Sequence, residues 1–250
     1  SVGAKYTQVM GATSDILGDL ISLSAPAVFA SGLASLGDLD ADGGLELLLA
    51  STHSVVQDDL TVLRTRLADT HPSGRSCGSQ LNLGANCSAL PSFHYESHTL
   101  VDGSATFGGN ADQRAGFSLA LLGDLDGDGF PEYANGAMQF KNGSDSVGRV
   151  YIVFTGEGLK YINHSIITAP LGYTTQKFGC SVAGIGDLNR DGVPDLAVGS
   201  CAADTDRGGF SVILLHADGT EISSNFYGSD SPLLGTLAER DLCGHALVPM

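Results

Sequence analysis

The sequence predicts an all-β protein of the β-propeller class, and three observations lead to this prediction. A nine-residue acidic loop occurs three times, at 38–46, 124–132 and 187–195. Each copy lies between two short runs of apolar and small residues, which is the pattern of buried strands bounded by turns. Four such runs recur in a unit of about 60 residues, and repeated four-stranded units are typical of propeller blades. Because one such unit cannot bury both its faces, neighbouring units must stack.

The first repeat begins at Phe29-Ala30 and contains an insertion. Its strands are predicted at 33–37, 47–50, 60–64 and 92–100. The acidic loops are 86 residues apart between the first and second copies and 63 apart between the second and third. The irregular stretch 69–91 has the length of that difference. We therefore interpret it as an insertion between the third and fourth strands.

The second and third repeats follow the same order without an insertion. The second opens at Gly116, with strands predicted at 119–123, 133–137, 148–154 and 159–166. The third opens at Phe178, with strands predicted at 182–186, 196–199, 210–215 and 221–227. In each repeat a glycine-containing turn, at 156–158 or 217–219, separates the last two strands.

The two ends of the chain resemble parts of further repeats. Residues 1–28 hold strand-like stretches at 5–10 and 19–23 but no acidic loop, and Gly244 has the phase of Gly179 in a repeat opening. The two ends could pair with each other, or further polypeptide could complete the propeller; we favour the second, because the first would give a blade without an acidic hairpin. The expected organisation is one propeller domain, or part of one: a partial blade at 1–28, blades at 29–115 (insertion 69–91), 116–177 and 178–242, and the first strand of another at 243–250.

The acidic loops have the donor chemistry of a calcium site. Oxygen side chains stand at positions 1, 3, 5 and 9, and Gly at position 6 permits the sharp turn that folds oxygens around a hard cation. Asp-Gly runs also form plain surface turns, but three copies in one phase favour Ca²⁺. Position 12 is Leu49, Asn135 or Val198, so these loops are not EF-hands. The expected ligands, including position 7, are Asp38, Asp40, Asp42, Gly44 and Glu46; Asp124, Asp126, Asp128, Phe130 and Glu132; and Asp187, Asn189, Asp191, Val193 and Asp195.

The composition of the chain limits its possible partners and its cellular location. The 250 residues carry a formal net charge of −16, which argues against a nucleic-acid partner, and no apolar run is long enough to span a bilayer. Five cysteines, weak calcium chemistry and three Asn-x-Ser sequences favour an extracellular, glycosylated protein. The predicted N-glycosylation sites are Asn86, Asn142 and Asn163.

Two disulfides are predicted from the positions of the cysteines. If Gly186 pairs with Asp195 across the third acidic hairpin, the register places Cys180 opposite Cys201, at a separation that a disulfide can bridge. Cys77 and Cys87 would close the insertion. Cys243 is then left over.

The chain resembles the FG-GAP repeats of integrin alpha-chain propellers. The resemblance is carried by Phe178-Gly179-x-Ser181, by the acidic loops, by Gly136-Ala137 and by Gly148-Arg149-Val150, while the first repeat departs from it with Phe29-Ala30. It implies an extracellular, calcium-stabilised propeller that binds proteins or glycans through loops on one face. Similar repeats also accompany enzymes, so the alternative is the propeller of a calcium-dependent polysaccharide lyase or phospholipase-like enzyme.

A catalytic constellation is not evident in the sequence. No Ser/His/Asp order, paired catalytic carboxylates or phosphate loop stands out. His94, Glu96 and His98 alternate along a predicted strand and share one face, where they could hold a transition metal or face solvent; we favour solvent. The expected function is therefore a non-enzymatic adhesion, interaction or structural assembly module, whose partner is a protein, a glycan or the remainder of the same polypeptide.

Overall fold

The structure is a computed structural model, and it describes most of the second and third repeats and part of the first. The described residues are 28–37, 45–52, 59–68, 92–102, 106–107, 113–157, 160–169, 177–229 and 231–248. The predicted strands at 5–10 and 19–23 and the insertion at 69–91 lie outside them.

The chain divides into two compact units. One comprises Ser1–Pro26, Ser35–Leu47 and Leu63–His98, much of it outside the described residues. The other comprises Ala27–Ala34, Leu48–Val62 and Thr99–Met250. The second and third acidic loops, with the strands that flank them, belong to this second unit.

The described strands form antiparallel sheets of four strands each, in chain order. The all-β prediction is confirmed at this level. Sheet one contains β1 (Val28–Gly37), β2 (Leu45–Thr52), β3 (Asp59–Ala68) and β4 (Ser92–Asp102). Sheet two contains β5 (Ala115–Gly123), β6 (Glu132–Ala137), β9 (Arg149–Gly156) and β10 (Lys160–Thr168), with a small hairpin, β7 (Lys141–Asn142) and β8 (Asp145–Ser146), between β6 and β9. Sheet three contains β11 (Phe178–Gly186), β12 (Asp195–Ser200), β13 (Phe210–Leu215) and β14 (Glu221–Tyr227).

Two short elements were not predicted. The β7–β8 hairpin has two residues in each strand, and a one-turn helix, α1 (Ala203–Asp206), lies between β12 and β13. Strands of two residues and a helix of four residues contain only about one period of a hydrophobic pattern, which is too short for a repeat to be recognised. The sequence therefore gives no periodic signal for either element.

The inner strands are buried on both faces. All six residues of β6 and all six of β12 are buried, and in both strands small residues are common. An apolar cluster joins sheets two and three: Val150, Ile152, Phe154 and Ile167 from sheet two contact Leu196, Val198, Ile213 and Leu215 from sheet three. The two sheets therefore pack face to face in chain order, as successive propeller blades do.

The junctions between sheets repeat one arrangement of backbone and hydroxyl groups. Ser118 Oγ of β5 donates a hydrogen bond of 2.8 Å to the carbonyl oxygen of Gly179, where sheet three opens. In the same way, Ser181 Oγ of β11 donates a bond of 2.6 Å to the carbonyl oxygen of Gly244. Residues 243–244 therefore dock on sheet three as residues 178–179 dock on sheet two.

Backbone bridges repeat at the same two junctions. Phe178 lies in a parallel bridge with Gly148 and donates its N–H to Val147 O at 3.1 Å. Cys243 lies in a parallel bridge with Gly208 and donates its N–H to Arg207 O at 2.9 Å. The equivalence of Gly244 and Gly179, expected from the sequence, thus has a structural counterpart.

Glycines permit these close approaches. A Cβ on Gly136 would come closer than 3.0 Å to Gly179 O and Ser118 Oγ, and a Cβ on Gly199 would do the same to Gly244 O and Ser181 Oγ. Real Cβ atoms do not tolerate such distances to backbone. These two positions in β6 and β12 therefore require glycine for reasons of space.

The predicted disulfide between Cys180 and Cys201 is present, with a Cα–Cα distance of 6.3 Å, which lies within the usual range. The predicted register was wrong in part. Gly186 does pair with Asp195. The register then shifts between Gly186 and Gly184, which pairs with Leu196, and it shifts again between Val182 and Phe178. Bulges of this kind cannot be placed by counting residues. Cys243 is a free cysteine, as expected.

We predict that Gly136→Ala destabilises the protein by about 1–3 kcal/mol, the usual cost of overpacking, because the added methyl group meets a backbone carbonyl of the next sheet. Gly156→Ala is the matched control, since its Cβ would meet only the side-chain tip of Ile162. Urea unfolding in calcium buffer measures both variants. Equal midpoints would contradict the proposed role of Gly136.

We also predict that the double variant Cys180→Ala/Cys201→Ala loses about 3 kcal/mol of stability. The bond closes a loop with a sequence separation of 21, and its loss restores entropy to the unfolded chain. Cys243→Ala serves as control because this cysteine forms no disulfide. Unfolding under non-reducing conditions provides the measurement, and a double variant as stable as Cys243→Ala would refute the expectation.

Candidate calcium site

The second acidic loop is folded by its own carboxylates. Asp124 accepts N–H bonds from Gly127 (2.7 Å) and Gly129 (3.0 Å), one on each oxygen. Asp126 accepts from Asp128 N at 3.1 Å, and Asp128 accepts from Phe130 N at 2.8 Å. The side chains at positions 1, 3 and 5 therefore turn inward over the loop although all three are exposed.

The third acidic loop repeats most of these hydrogen bonds. Asp187 accepts from Gly192 N (2.8 Å) and Asp191 N (3.1 Å), and Asn189 Oδ1 accepts from Asp191 N (3.0 Å). Asp191 accepts from Val193 N (2.9 Å) and from Asn189 Nδ2 (2.8 Å). Position 1 therefore binds the N–H of position 6, and position 5 that of position 7, in both loops.

Position 9 differs from the others because its carboxylate is buried. Glu132 and Asp195 are both 0% exposed, each at the first residue of the second strand of its sheet. Glu132 Oε2 accepts the N–H of Leu125 at 2.6 Å, and Asp195 Oδ2 accepts the N–H of Leu188 at 2.8 Å. Each acid thus links loop position 9 to loop position 2.

The end of each loop is also hydrogen-bonded to the third strand of its sheet, through position 9 on sheet three and through position 8 on sheet two. Asp195 Oδ1 accepts the N–H of Leu215, in β13, at 3.1 Å. On sheet two, Thr155 of β9 donates its hydroxyl to Pro131 O at 2.7 Å, at the end of the loop. Leu215 and Thr155 were missed by the sequence analysis, because a backbone N–H donor has no sequence signature and Thr155 lies in an ordinary strand pattern.

The charge of Glu132 is costly in the absence of a cation. The pKa of Glu132 is raised to about 7, mainly by burial and in addition by the neighbouring carboxylates of Asp126 and Asp128. Hydrogen bonds from the backbone of Leu125 and Thr155 oppose this shift. The buried acid therefore senses the negative field of the exposed loop carboxylates.

The donor set of the second loop fits a hard cation. Asp124, Asp126 and Asp128 each offer a carboxylate oxygen, and these oxygens lie within 4.8 Å of one another. Carboxylates are the ligands that Ca²⁺ prefers, and a charge of +2 would offset their repulsion. Because a carboxylate has about four lone-pair sites, its N–H bonds leave capacity for a metal. The third loop offers the same oxygens except that a neutral amide, Asn189, stands at position 3.

The remaining predicted site residues are distributed as follows. In the first loop, Asp38, Asp40, Asp42 and Gly44 lie outside the described residues, and Glu46 lies in β2. Asn142 and Asn163 are exposed, on β7 and β10. His94, Glu96 and His98 lie on β4, the last strand of sheet one. Cys77, Cys87 and Asn86 lie outside the described residues.

Comparison with known proteins supports the resemblance stated above. Parts of the chain are similar to human integrin alpha-7 (39% identity over 88 residues, 34% of this chain), mouse integrin alpha-8 (29% over 122 residues, 44%) and chicken integrin alpha-V (38% over 96 residues, 37%). The matched regions cover 7%, 11% and 9% of those proteins, so the matched part of the chain spans about a tenth of their length. No protein-family model matches the chain. The chain thus contains an integrin alpha-like FG-GAP repeat region.

Among the described residues, no helix is long and apolar enough to cross a bilayer.

We predict that exchanging the residues at position 3 exchanges the calcium affinities of the two loops. Asp126→Asn should weaken the second site about tenfold, and Asn189→Asp should strengthen the third by a similar factor, since ligand charge tunes affinity. Both changes keep an Oδ1 acceptor for the loop N–H. Calorimetric titration with calcium measures both affinities.

The control for this exchange is Asp145→Asn, which removes an acid of the β7–β8 hairpin outside either loop. It should leave both affinities unchanged. Affinities that respond equally to Asp126→Asn and Asp145→Asn would indicate a general charge effect and contradict a site at the second loop.

Proposed function

We propose that this chain forms part of an extracellular, calcium-stabilised β-propeller that acts as a non-enzymatic adhesion, interaction or structural assembly module. The observation that carries the proposal is the repeated loop geometry. In two successive sheets, an exposed acidic loop with matching hydrogen bonds follows the first strand and ends on a buried position-9 carboxylate. The partial similarity to integrin alpha chains supports the same reading.

We assign one Ca²⁺ to each of the three acidic loops. Positions 1, 3, 5, 7 and 9 would hold the ion, and the buried acid at position 9 would couple it to the sheet through its backbone hydrogen bonds. The bound cation would supply positive charge where the second loop brings three carboxylates together. Calcium is therefore structural in this proposal, and each ion stabilises one blade tip.

The domain plan proposed from the sequence is supported by the repeated junctions of sheets two and three. The blades are those expected from the sequence: 29–115, 116–177 and 178–242, with partial blades at 1–28 and 243–250. Residues 243–244 make the same kinds of backbone contact with sheet three that residues 178–179 make with sheet two. This equivalence supports their assignment to a further blade. Further polypeptide would complete the propeller, and the ligand would be a protein or a glycan at the cell surface.

The enzyme alternative is less well supported. The similar proteins are integrin alpha chains, and the described loop carboxylates are engaged by backbone N–H groups or by the proposed cation. A bound cation holds such acids ionised, which is unfavourable for acid–base catalysis. Incubation with polyuronates and with phospholipids, in calcium and in EGTA, should produce no calcium-dependent cleavage.

We predict that removal of calcium lowers the melting temperature by several degrees. At about 1 mM free calcium and a site Kd of about 0.1 mM, each site contributes about 1.4 kcal/mol. Melting curves in calcium and in EGTA with excess magnesium measure the shift. The combined variant Asp126→Asn/Asp191→Asn should show a smaller shift in melting temperature than the unaltered chain. Identical melting curves of the unaltered chain in calcium and in EGTA would contradict a structural role for the ion.

A further inference from the structure

Strand β10 is an edge strand of sheet two in the part of the chain that the structure describes, and it exposes apolar side chains. Among the described residues, β10 pairs with β9 and is the last strand of its sheet. Ile162 is 56% exposed and Ile166 is 43% exposed. An edge strand with unpaired backbone groups and exposed apolar residues is a template for association with another chain.

Asn163 lies between these two isoleucines. It is exposed, it pairs with Phe154, and it follows a register irregularity after Tyr161. Asn163-His164-Ser165 has the acceptor sequence for N-glycosylation. An acceptor sequence therefore occupies the same short segment as the exposed apolar residues.

The equivalent edge of sheet three provides an internal comparison. Strand β14 is the last strand of that sheet and has no Asn-x-Ser/Thr sequence. Its exposed residues include Ile222 (42%) but also the polar side chains of Glu221, Ser223 and Asn225. A charge and polar side chains blunt an edge without modification. Strand β10 also exposes Lys160 and Thr168 at its two ends, but between them it exposes two isoleucines and carries the acceptor.

We propose that Asn163 carries an N-linked glycan that covers the free edge of β10. The donor is an oligosaccharide attached to a lipid through a diphosphate. Asn163 Nδ2 forms a bond to the anomeric carbon of the sugar, the sugar–phosphate bond breaks, and the diphospholipid leaves with the electron pair. The amide proton passes to a base of the transferase. The bulky hydrophilic glycan then keeps other strands from the edge.

The contacts of Ser165 determine when this reaction occurs. Its hydroxyl donates a hydrogen bond of 2.5 Å to the carbonyl oxygen of Asp218, in the turn between β13 and β14. In the folded protein this hydroxyl is therefore engaged by sheet three. Transfer of the glycan takes place on the nascent chain, before sheet three packs against β10.

The test is expression of the full chain in a eukaryotic secretory host. Enzymatic deglycosylation in heavy-oxygen water, followed by peptide mass spectrometry, reports the occupancy of Asn163 and of Asn142 separately. We expect Asn163 to be occupied, and Ser165→Thr to preserve its occupancy. Because the modification precedes folding, this measurement does not depend on the stability of any variant.

The shielding role is tested by Asn163→Gln, with Asn142→Gln as matched control. Asn142 lies on the β7–β8 hairpin, where both residues of β7 are exposed and polar. Asn163→Gln should lose secreted monomer to aggregates in size-exclusion chromatography, and the added changes Ile162→Thr and Ile166→Thr should restore it. Asn142→Gln should not change the monomer fraction.

The outcomes separate this proposal from the extracellular setting on which it rests. An unoccupied Asn163 beside an occupied Asn142 overturns the glycan assignment while leaving the secretory setting intact, and it would make β10 a free edge for a protein partner. An occupied Asn163 whose replacement leaves the monomer fraction unchanged overturns the shielding role. Calcium-dependent melting of the unglycosylated chain tests the proposed function independently.

Discussion

The close approach of backbone at the sheet junctions is the constraint on which the rest of the structure depends. Gly136 and Gly199 lie against the carbonyl oxygens of Gly179 and Gly244, and a serine hydroxyl from the preceding strand binds each of these carbonyls. The hydrogen bond satisfies a partly buried acceptor, and the missing side chain gives the space for it. The face-to-face packing of sheets two and three follows from this contact, because it fixes which residues of the two sheets meet.

The first repeat shows that the junction residues change together. Ala50 stands where the later repeats have Gly136 and Gly199, and Gly32 stands where they have Ser118 and Ser181. A Cβ on Gly32 would clash with Gly116 O, which corresponds to the acceptor of the serine hydroxyl in the later junctions. Removing the serine leaves room for the methyl group of Ala50. The first junction therefore lacks the serine hydroxyl and has a methyl group where the later junctions have a glycine.

The acidic loops are connected to this framework through position 9. A loop held only by exposed acids would move independently of the sheet, but Glu132 and Asp195 are fully buried at the start of β6 and β12, the same strands that carry the junction glycines. Asp195 reaches the backbone of β13 as well. A cation bound at the tip would therefore be linked by one strand to the contact with the next sheet, and its charge would lower the cost of the buried acid beside it.

The sequence by itself determined the all-β class, the three repeats and the oxygen-rich loops, because each depends on local chemistry: apolar runs, Asp and Gly at fixed spacing, and turn residues. It also identified Cys180 and Cys201 as partners, although the intervening register was wrong, since bulges between Val182 and Phe178 and before Gly186 follow from packing rather than from spacing.

Only the tertiary structure decided that position 9 is buried while positions 1, 3 and 5 are exposed. A run of alternating acids does not reveal which carboxylate faces the core. The roles of Ser118, Ser181 and Gly136 were likewise decided by tertiary structure, because the carbonyl groups they meet lie about 40 to 60 residues further along the chain.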